Sequence, residues 1–241
     1  MSEKTQGKTL AQGGYESGCL LCGAPLIYQE ESQEMECAVC HKKFYSNAAC
    51  ANGHFVCDRC HSGLNPNYLQ LLKSSGEKDP LILLEQTMDL PGVHLLGPEH
   101  HIILPCVLLT AYKNCGGQLD YPVAIKEAFR RGKQIPGGVC GYMGTCGAAV
   151  GAGIYASLTL GSNPLKDIVW GKAQELTARC LQRIAECGGV RCCKRTTRLA
   201  VEEAVAWTKE TFNIEMPLSN TPCRFWEKIH ECSYGDCPFF G

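Results

Sequence analysis

The feature that most constrains this chain is the way its cysteines pair. Eighteen cysteines are spread over 241 residues, and many of them stand two residues apart. That spacing lets a tight turn present both sulfurs to one tetrahedral ion, and a second such pair completes a four-ligand site. Cys19-Leu-Leu-Cys22 and Cys37-Ala-Val-Cys40 are two such knuckles. The interval Pro25–Glu36 has the length of a hairpin joining them, so the segment reads as a zinc-ribbon-like β module. A redox CxxC pair is the competing use of the same spacing.

A second group follows at once in Cys50, His54, Cys57 and Cys60, three thiolates and one imidazole, with His61 as an alternative to His54. The ligand pairs 19/22, 37/40, 50/54 and 57/60 then serve two zinc ions. They can be used in chain order, or interleaved, first with third and second with fourth, as in cross-braced RING-type folds. Spacing leaves both arrangements open.

Cysteine in this number also occurs in secreted disulfide scaffolds, but mostly in short chains. The start Met1-Ser2-Glu3-Lys4 lacks the apolar stretch of a signal peptide. No run reaches the roughly 18 apolar residues of a membrane helix. The expected setting is a reducing, oxygen-poor cytoplasm with thiolates held by metal. A net charge of −1 gives no general electrostatic case for nucleic acid or an anionic membrane.

Residues 1–17 are polar and read as a disordered tail, 18–62 as the metal module, and 63–78 as a linker with one short helix. Residues 79–241 read as a mainly α-helical, cysteine-rich domain. Asp79-Pro80 starts a helix that runs to about Met88. Further helices are expected from about Pro105 to Lys113 and from Pro122 to about Arg131. Between Asp167 and Glu186, Val169, Ala173, Leu176, Cys180 and Ile184 recur at helical steps, and Gly188-Gly189 stops the helix. A last helix is expected from about Thr197 to Phe212. No segment after residue 65 sustains the period of two that marks a strand.

Four segments of this domain carry candidate chemistry. Cys140 and Cys146 flank a glycine-rich turn, either as cluster ligands or as small residues of a close-packed helix pair. In Gly97-Pro98-Glu99-His100-His101, one histidine can act as general acid or base beside Glu99; buried or capping histidines are the alternative. Arg191, Lys194 and Arg195 crowd Cys192 and Cys193 at a helix start, where positive charge favours thiolate or an anionic substrate. A solvated basic turn is the competing reading. Cys223, Cys232 and Cys237-Pro238 match iron–sulfur ligation, in which proline often follows the last ligand. Cys192 or Cys193 is a candidate for the fourth position, and a third zinc site is the competitor. Cys180 and Cys187 lie on an apolar stripe and read as core.

With GHFVCDRCH (53–61), GPEHHIILP (97–105), PGGVCGYMGTCGAA (136–149), GGVRCCKR (188–195) and the closing Cys-Pro-Phe, the chain resembles an uncharacterised cysteine-rich domain family of anaerobic bacteria and archaea. The resemblance covers nearly everything after residue 18. Some members of that family are joined to methyltransferase-like domains, which implies methyl or sulfur metabolism and a methyltransferase or redox protein as partner. The expectation is therefore a cytoplasmic iron–sulfur and zinc protein in sulfur-centred or redox metabolism. The cluster is expected to use Cys140 and Cys146 with Cys192 or Cys193, or else the C-terminal trio, and in the enzyme form an open iron site meets a sulfur-bearing substrate. The second expectation is a non-enzymatic zinc adaptor that docks a protein or RNA.

Overall fold

The structure, a computed structural model, describes residues 18–62, 67–90 and 92–241. The expected tail over 1–17 and the first part of the expected linker lie outside the described residues. The chain divides into two compact units, Met1–Leu64 and Asn65–Gly241.

The first unit is a two-stranded antiparallel sheet, β1 (Leu26–Glu36) and β2 (Lys43–Cys50), followed by a short helix, α1 (Asp58–Ser62). The interval expected to form a hairpin is thus one long strand. The hairpin's turn is the second knuckle itself, Cys37–Lys42, where Cys37 N–H donates to the Lys42 carbonyl. Pairing begins with Glu36 opposite Lys43 and ends with Leu26 opposite Cys50, across a register shift between Tyr28 and Gln33. Asn47 fills that irregularity by donating to the Gln29 and Glu30 carbonyls.

The second unit is helical: α2 (Asn67–Ser74), α3 (Pro80–Met88), α4 (Glu99–Asn114), α5 (Tyr121–Gly132), α6 (Val139–Tyr142), α7 (Gly147–Leu160), α8 (Asp167–Cys187) and α9 (Cys193–Phe212). After residue 212 the chain makes only two 3₁₀ turns, at Trp226–Lys228 and Tyr234–Asp236. Asp79 caps α3 by accepting from Leu81 and Ile82 N–H, and Asp120 caps α5 by accepting from Val123 N–H, which satisfies donors that a helix start leaves unpaired.

The core centres on α4, whose residues from Glu99 through Tyr112 are all buried; α2, α3, α5, α7 and α9 pack around it. A helix buried on every side has no amphipathic period, which hides its true start. Pro105 sits inside it and does not begin it. Proline cannot donate to the carbonyl four residues back, and glycine lets two neighbours close in on that spot. A Cβ added to Gly132 of α5 or Gly151 of α7 would lie 2.9 or 3.3 Å from the His101 carbonyl oxygen. The glycine-rich segment is therefore in part a packing device, because Gly147 faces the His101 ring in the same way. Among the described residues no helix is long and apolar enough to cross a membrane.

Candidate metal centres

All eighteen cysteines are free thiols, and in the first unit seven of them converge with one histidine. Each knuckle closes on itself through an amide that follows its second cysteine. Gly23 N–H donates to the Cys19 carbonyl, and His41 N–H to the Cys37 carbonyl, both at 2.8 Å. Gly23 (φ 72°) and His41 (φ 55°) take the left-handed conformation that turns the chain back so tightly. Backbone amides also point at sulfur: Cys57 N–H lies 3.3 Å from Cys37 Sγ, and His54 N–H 3.2 Å from Cys50 Sγ.

The ligand pairs interleave. Cys19, Cys22, Cys50 and His54 form one set, and Cys37, Cys40, Cys57 and Cys60 the other, with all ligand atoms of each set within 4.8 Å of one another. Strand pairing decides this. The register that sets Leu26 opposite Cys50 delivers Cys50 to the first knuckle, and a bridge between Cys37 and Phe55 holds the second knuckle beside Cys57. Within the sets, Cys22 and Cys50 sulfurs are 3.8 Å apart, as are those of Cys40 and Cys57. A tetrahedral ion with bonds of about 2.3 Å to sulfur sets its thiolates about 3.8 Å apart, so both sets could hold a metal ion.

Thiol acidity follows the same geometry. The Ala24 amide N–H does most to lower Cys22, to about 6. For Cys37 burial opposes ionisation, but N–H groups of Cys57, Cys40 and Val39 prevail and bring it to about 6. Burial pushes Cys19 up to about 11 and raises Cys57 and Cys60. Each set thus has one thiol, Cys22 or Cys37, that its neighbouring N–H groups favour as thiolate, the form that binds metal. His54 points Nδ1 at Cys22 Sγ, 3.3 Å away.

In the second unit the structure sorts most of the remaining candidates into two neighbourhoods at the α9 start. Cys192, the N-cap of α9, faces a small, partly open hollow of about 20 Å³ together with Cys223, Cys232 and Cys237. Arg195, Arg198, Trp226, Ile229 and Phe239 complete much of its wall. Arg195 N–H donates to Cys192 Sγ at 3.5 Å and Tyr234 N–H to Cys232 Sγ at 3.4 Å. Burial pushes the Cys192 and Cys223 thiols up, while Arg195 and Arg198, respectively, pull them down. Among the described residues no three of these four sulfurs fall within the 4.8 Å spacing of the module's sets.

In the second neighbourhood the segments around Glu99 and Lys194 meet. Lys194, 1% exposed, donates to the His94 carbonyl at 3.4 Å and stands 4.3 Å from the centre of the Phe225 ring. Burial lowers it to about 8. Glu99 accepts from His94 N–H at 2.9 Å. His100 donates from Nδ1 to the Gly97 carbonyl at 3.0 Å, and burial pushes its pKa down to about 3. His101 is held by the Ile135 carbonyl, 3.2 Å from Nδ1, against α7. Cys193 is raised to about 12 by burial, which makes it a poor nucleophile. Cys140 and Cys146 interact electrostatically with each other, and Arg191 lies within reach of Cys140 and of Cys193. The structure brings neither Cys140, Cys146 nor Cys193 to the four-cysteine hollow.

Sequence reasoning missed the side on which each α9 residue falls, although a signal existed. Cys192, Arg195 and Arg198 recur at steps of three and share one face, whereas Cys193 and Thr197 lie on another.

Fold and site define a cysteine-rich protein in which a small two-stranded unit, able to hold metal ions in two interleaved sets, accompanies a helical unit. Residues 69–240 match the profile of a family of unknown function, DUF5714, and the chain belongs to that family. The match takes in all four cysteines of the hollow and none of the two-stranded unit. No curated protein and no solved structure matches the chain.

Proposed function

We propose that the chain is a cytoplasmic iron–sulfur and zinc protein of redox or sulfur-centred metabolism. The observation that carries this reading is the convergence of Cys192, Cys223, Cys232 and Cys237 on one hollow. A polynuclear cluster holds its thiolates farther apart than a single ion does. Four thiols lining one hollow, no three of them as close as the sulfurs of the module's sets, suit an iron–sulfur cluster better than a single zinc ion. The interleaved sets of the first unit suit zinc, with every position of the tetrahedron supplied by the chain and none left for a substrate. Zinc there is structural.

Anaerobic purification followed by iron, sulfide and zinc analysis tests the reading. The expected sample is brown, with about four irons and four sulfides and about two zinc ions per chain. A colourless protein with zinc alone, after handling that excludes air throughout, overturns it. A redox protein or a methyltransferase is the partner this reading calls for.

A second reading, an adaptor whose zinc module docks a protein or RNA, draws on the exposure of Ile27, Tyr28 and Tyr45 on the two-stranded sheet. It gains only if the iron analysis is negative.

A further inference from the structure

Arg198 is 1% exposed, yet its Nε–H has no acceptor among the described residues. Its other nitrogens are taken: Glu85 accepts at 2.6 Å, and the Thr221 and Pro222 carbonyls accept as well. A buried, charged donor without a partner is costly, so it marks a place for an acceptor. Arg198 lines the four-cysteine hollow, and sulfur there is the acceptor its position calls for. Arg195 stands on the same wall, fixed by the Ser233 hydroxyl at 3.0 Å and the Val190 carbonyl at 2.6 Å. Cys192 itself caps α9, where the helix dipole adds positive potential.

Resting on the iron–sulfur reading, we propose that this centre is a coordinatively closed one-electron relay whose potential is set by Arg198 and Arg195. All four corners are protein thiolates, so no iron is left open for a substrate. The proposed centre takes the place of the open-iron form expected from three cysteine ligands. A core of charge +2 with four thiolates carries about two negative charges; Arg195 sets its positive charge against them, and Arg198, whose charge Glu85 already pairs, contributes its free Nε–H. On reduction the core takes one electron from a reduced flavin or iron–sulfur carrier protein, becomes more negative by one charge, and passes that electron to an oxidised acceptor of the same class. No proton and no bond moves. Donors aimed at sulfur and neighbouring cations stabilise the reduced form and raise the potential, while the apolar wall of Trp226, Ile229 and Phe239 lowers it.

The test is an EPR-monitored redox titration of the anaerobically purified full chain, beside Arg198→Lys and Arg195→Gln. Arg198→Lys keeps a cation for Glu85, and Arg195→Gln leaves that ion pair untouched, so one failure to fold does not remove the test. Both variants are expected to keep wild-type iron and sulfide and to move the midpoint to lower potential. Added cyanide, a probe for an open iron, is expected to leave the wild-type spectrum unchanged. An unmoved midpoint in Arg195→Gln, loss of iron from that variant, or a cyanide-altered spectrum each overturns the relay while leaving the iron–sulfur reading in place. Absence of iron from the wild type overturns the reading, and the relay with it.

Discussion

Glu85 holds together the segment that supplies three of the four hollow cysteines. It is 6% exposed and accepts from Arg198 at 2.6 Å and from Arg224 at 3.2 Å. Glu85→Gln keeps the shape and removes the charge, leaving the Arg198 cation buried. Removing one partner of a buried ion pair costs about 3–5 kcal/mol. Arg198 keeps the Thr221 and Pro222 carbonyls, which places the loss near the lower end, at about 3 kcal/mol. The Arg224 arm is half-exposed and retains Asp89, so it adds only about 0–1 kcal/mol. Against a typical net stability of about 5–15 kcal/mol, the expected melting point falls by roughly 6–12 °C at about 2–4 °C per kcal/mol. Thermal and urea unfolding of the metal-loaded chain measure it. Combining Glu85→Gln with Arg198→Met should recover part of the loss, since no charge is then stranded. A loss under about 1 kcal/mol, or a double variant that is the sum of the singles, would refute the reasoning that buried charge pairing anchors this segment.

Three further outcomes follow from the geometry. In cobalt-substituted protein, Cys37→Ser should alter only the all-thiolate spectrum and leave the set with His54 intact; a change in the imidazole-bearing set would mean that the ions do not interleave as described. Gly147→Ala would put a Cβ 2.3 Å from the His101 ring; overpacking of this kind costs about 1–3 kcal/mol, read as a lower urea midpoint at unchanged slope, and a neutral result would show that the ring can swing aside. His100, held near 3 by burial, is neutral in the fold but takes a proton in the unfolded chain below about 6.5. The unfolded state then binds more protons, so stability falls as pH drops from about 6.5 towards 3, by up to about 1.4 kcal/mol per pH unit; His100→Gln should flatten that part of the profile relative to wild type, and equal slopes would exclude the assignment.

Helices were legible where local chemistry marks them. Asp79-Pro80 and Asp120 through Pro122 carry caps and a fixed φ, and α8 shows its apolar step along an exposed helix. The start of α4 was not legible, because burial on every side removes the periodic contrast and Pro105 imitates a first helical position. Residues 193–196 of α9 were missed for a related reason: a run of cations reads as a solvated turn, yet Lys194, Arg195 and Arg198 are all buried and are stabilised by partners far away in sequence. The ligand types of the first unit were legible, but their pairing was not. Both topologies use the same spacings, and only the register between β1 and β2 separates them.

The two kinds of thiol group differ in how the chain assembles them, and that difference bears on their roles. In the module every ligand lies within four residues of another ligand, so local turns form half of each site and the sheet joins the halves. Such a site is stiff, closed and suited to holding a small unit folded. In the hollow, Cys192 stands on a helix start, while Cys223, Cys232 and Cys237 lie on a segment with only two short turns of its own, held by Glu85, Arg198 and the packing of Phe239. No two of these cysteines form a knuckle. A single ion would have to draw at least three of them within the spacing that the module's sets keep, whereas the proposed cluster would hold its thiolates farther apart. On the proposed reading, a cluster's sulfides would also offer an acceptor to the buried Arg198 Nε–H. On the proposed reading, the close spacing in the module suits single ions and the wider spacing in the hollow suits a cluster, and the arginine face of α9 supplies the donors that favour the latter.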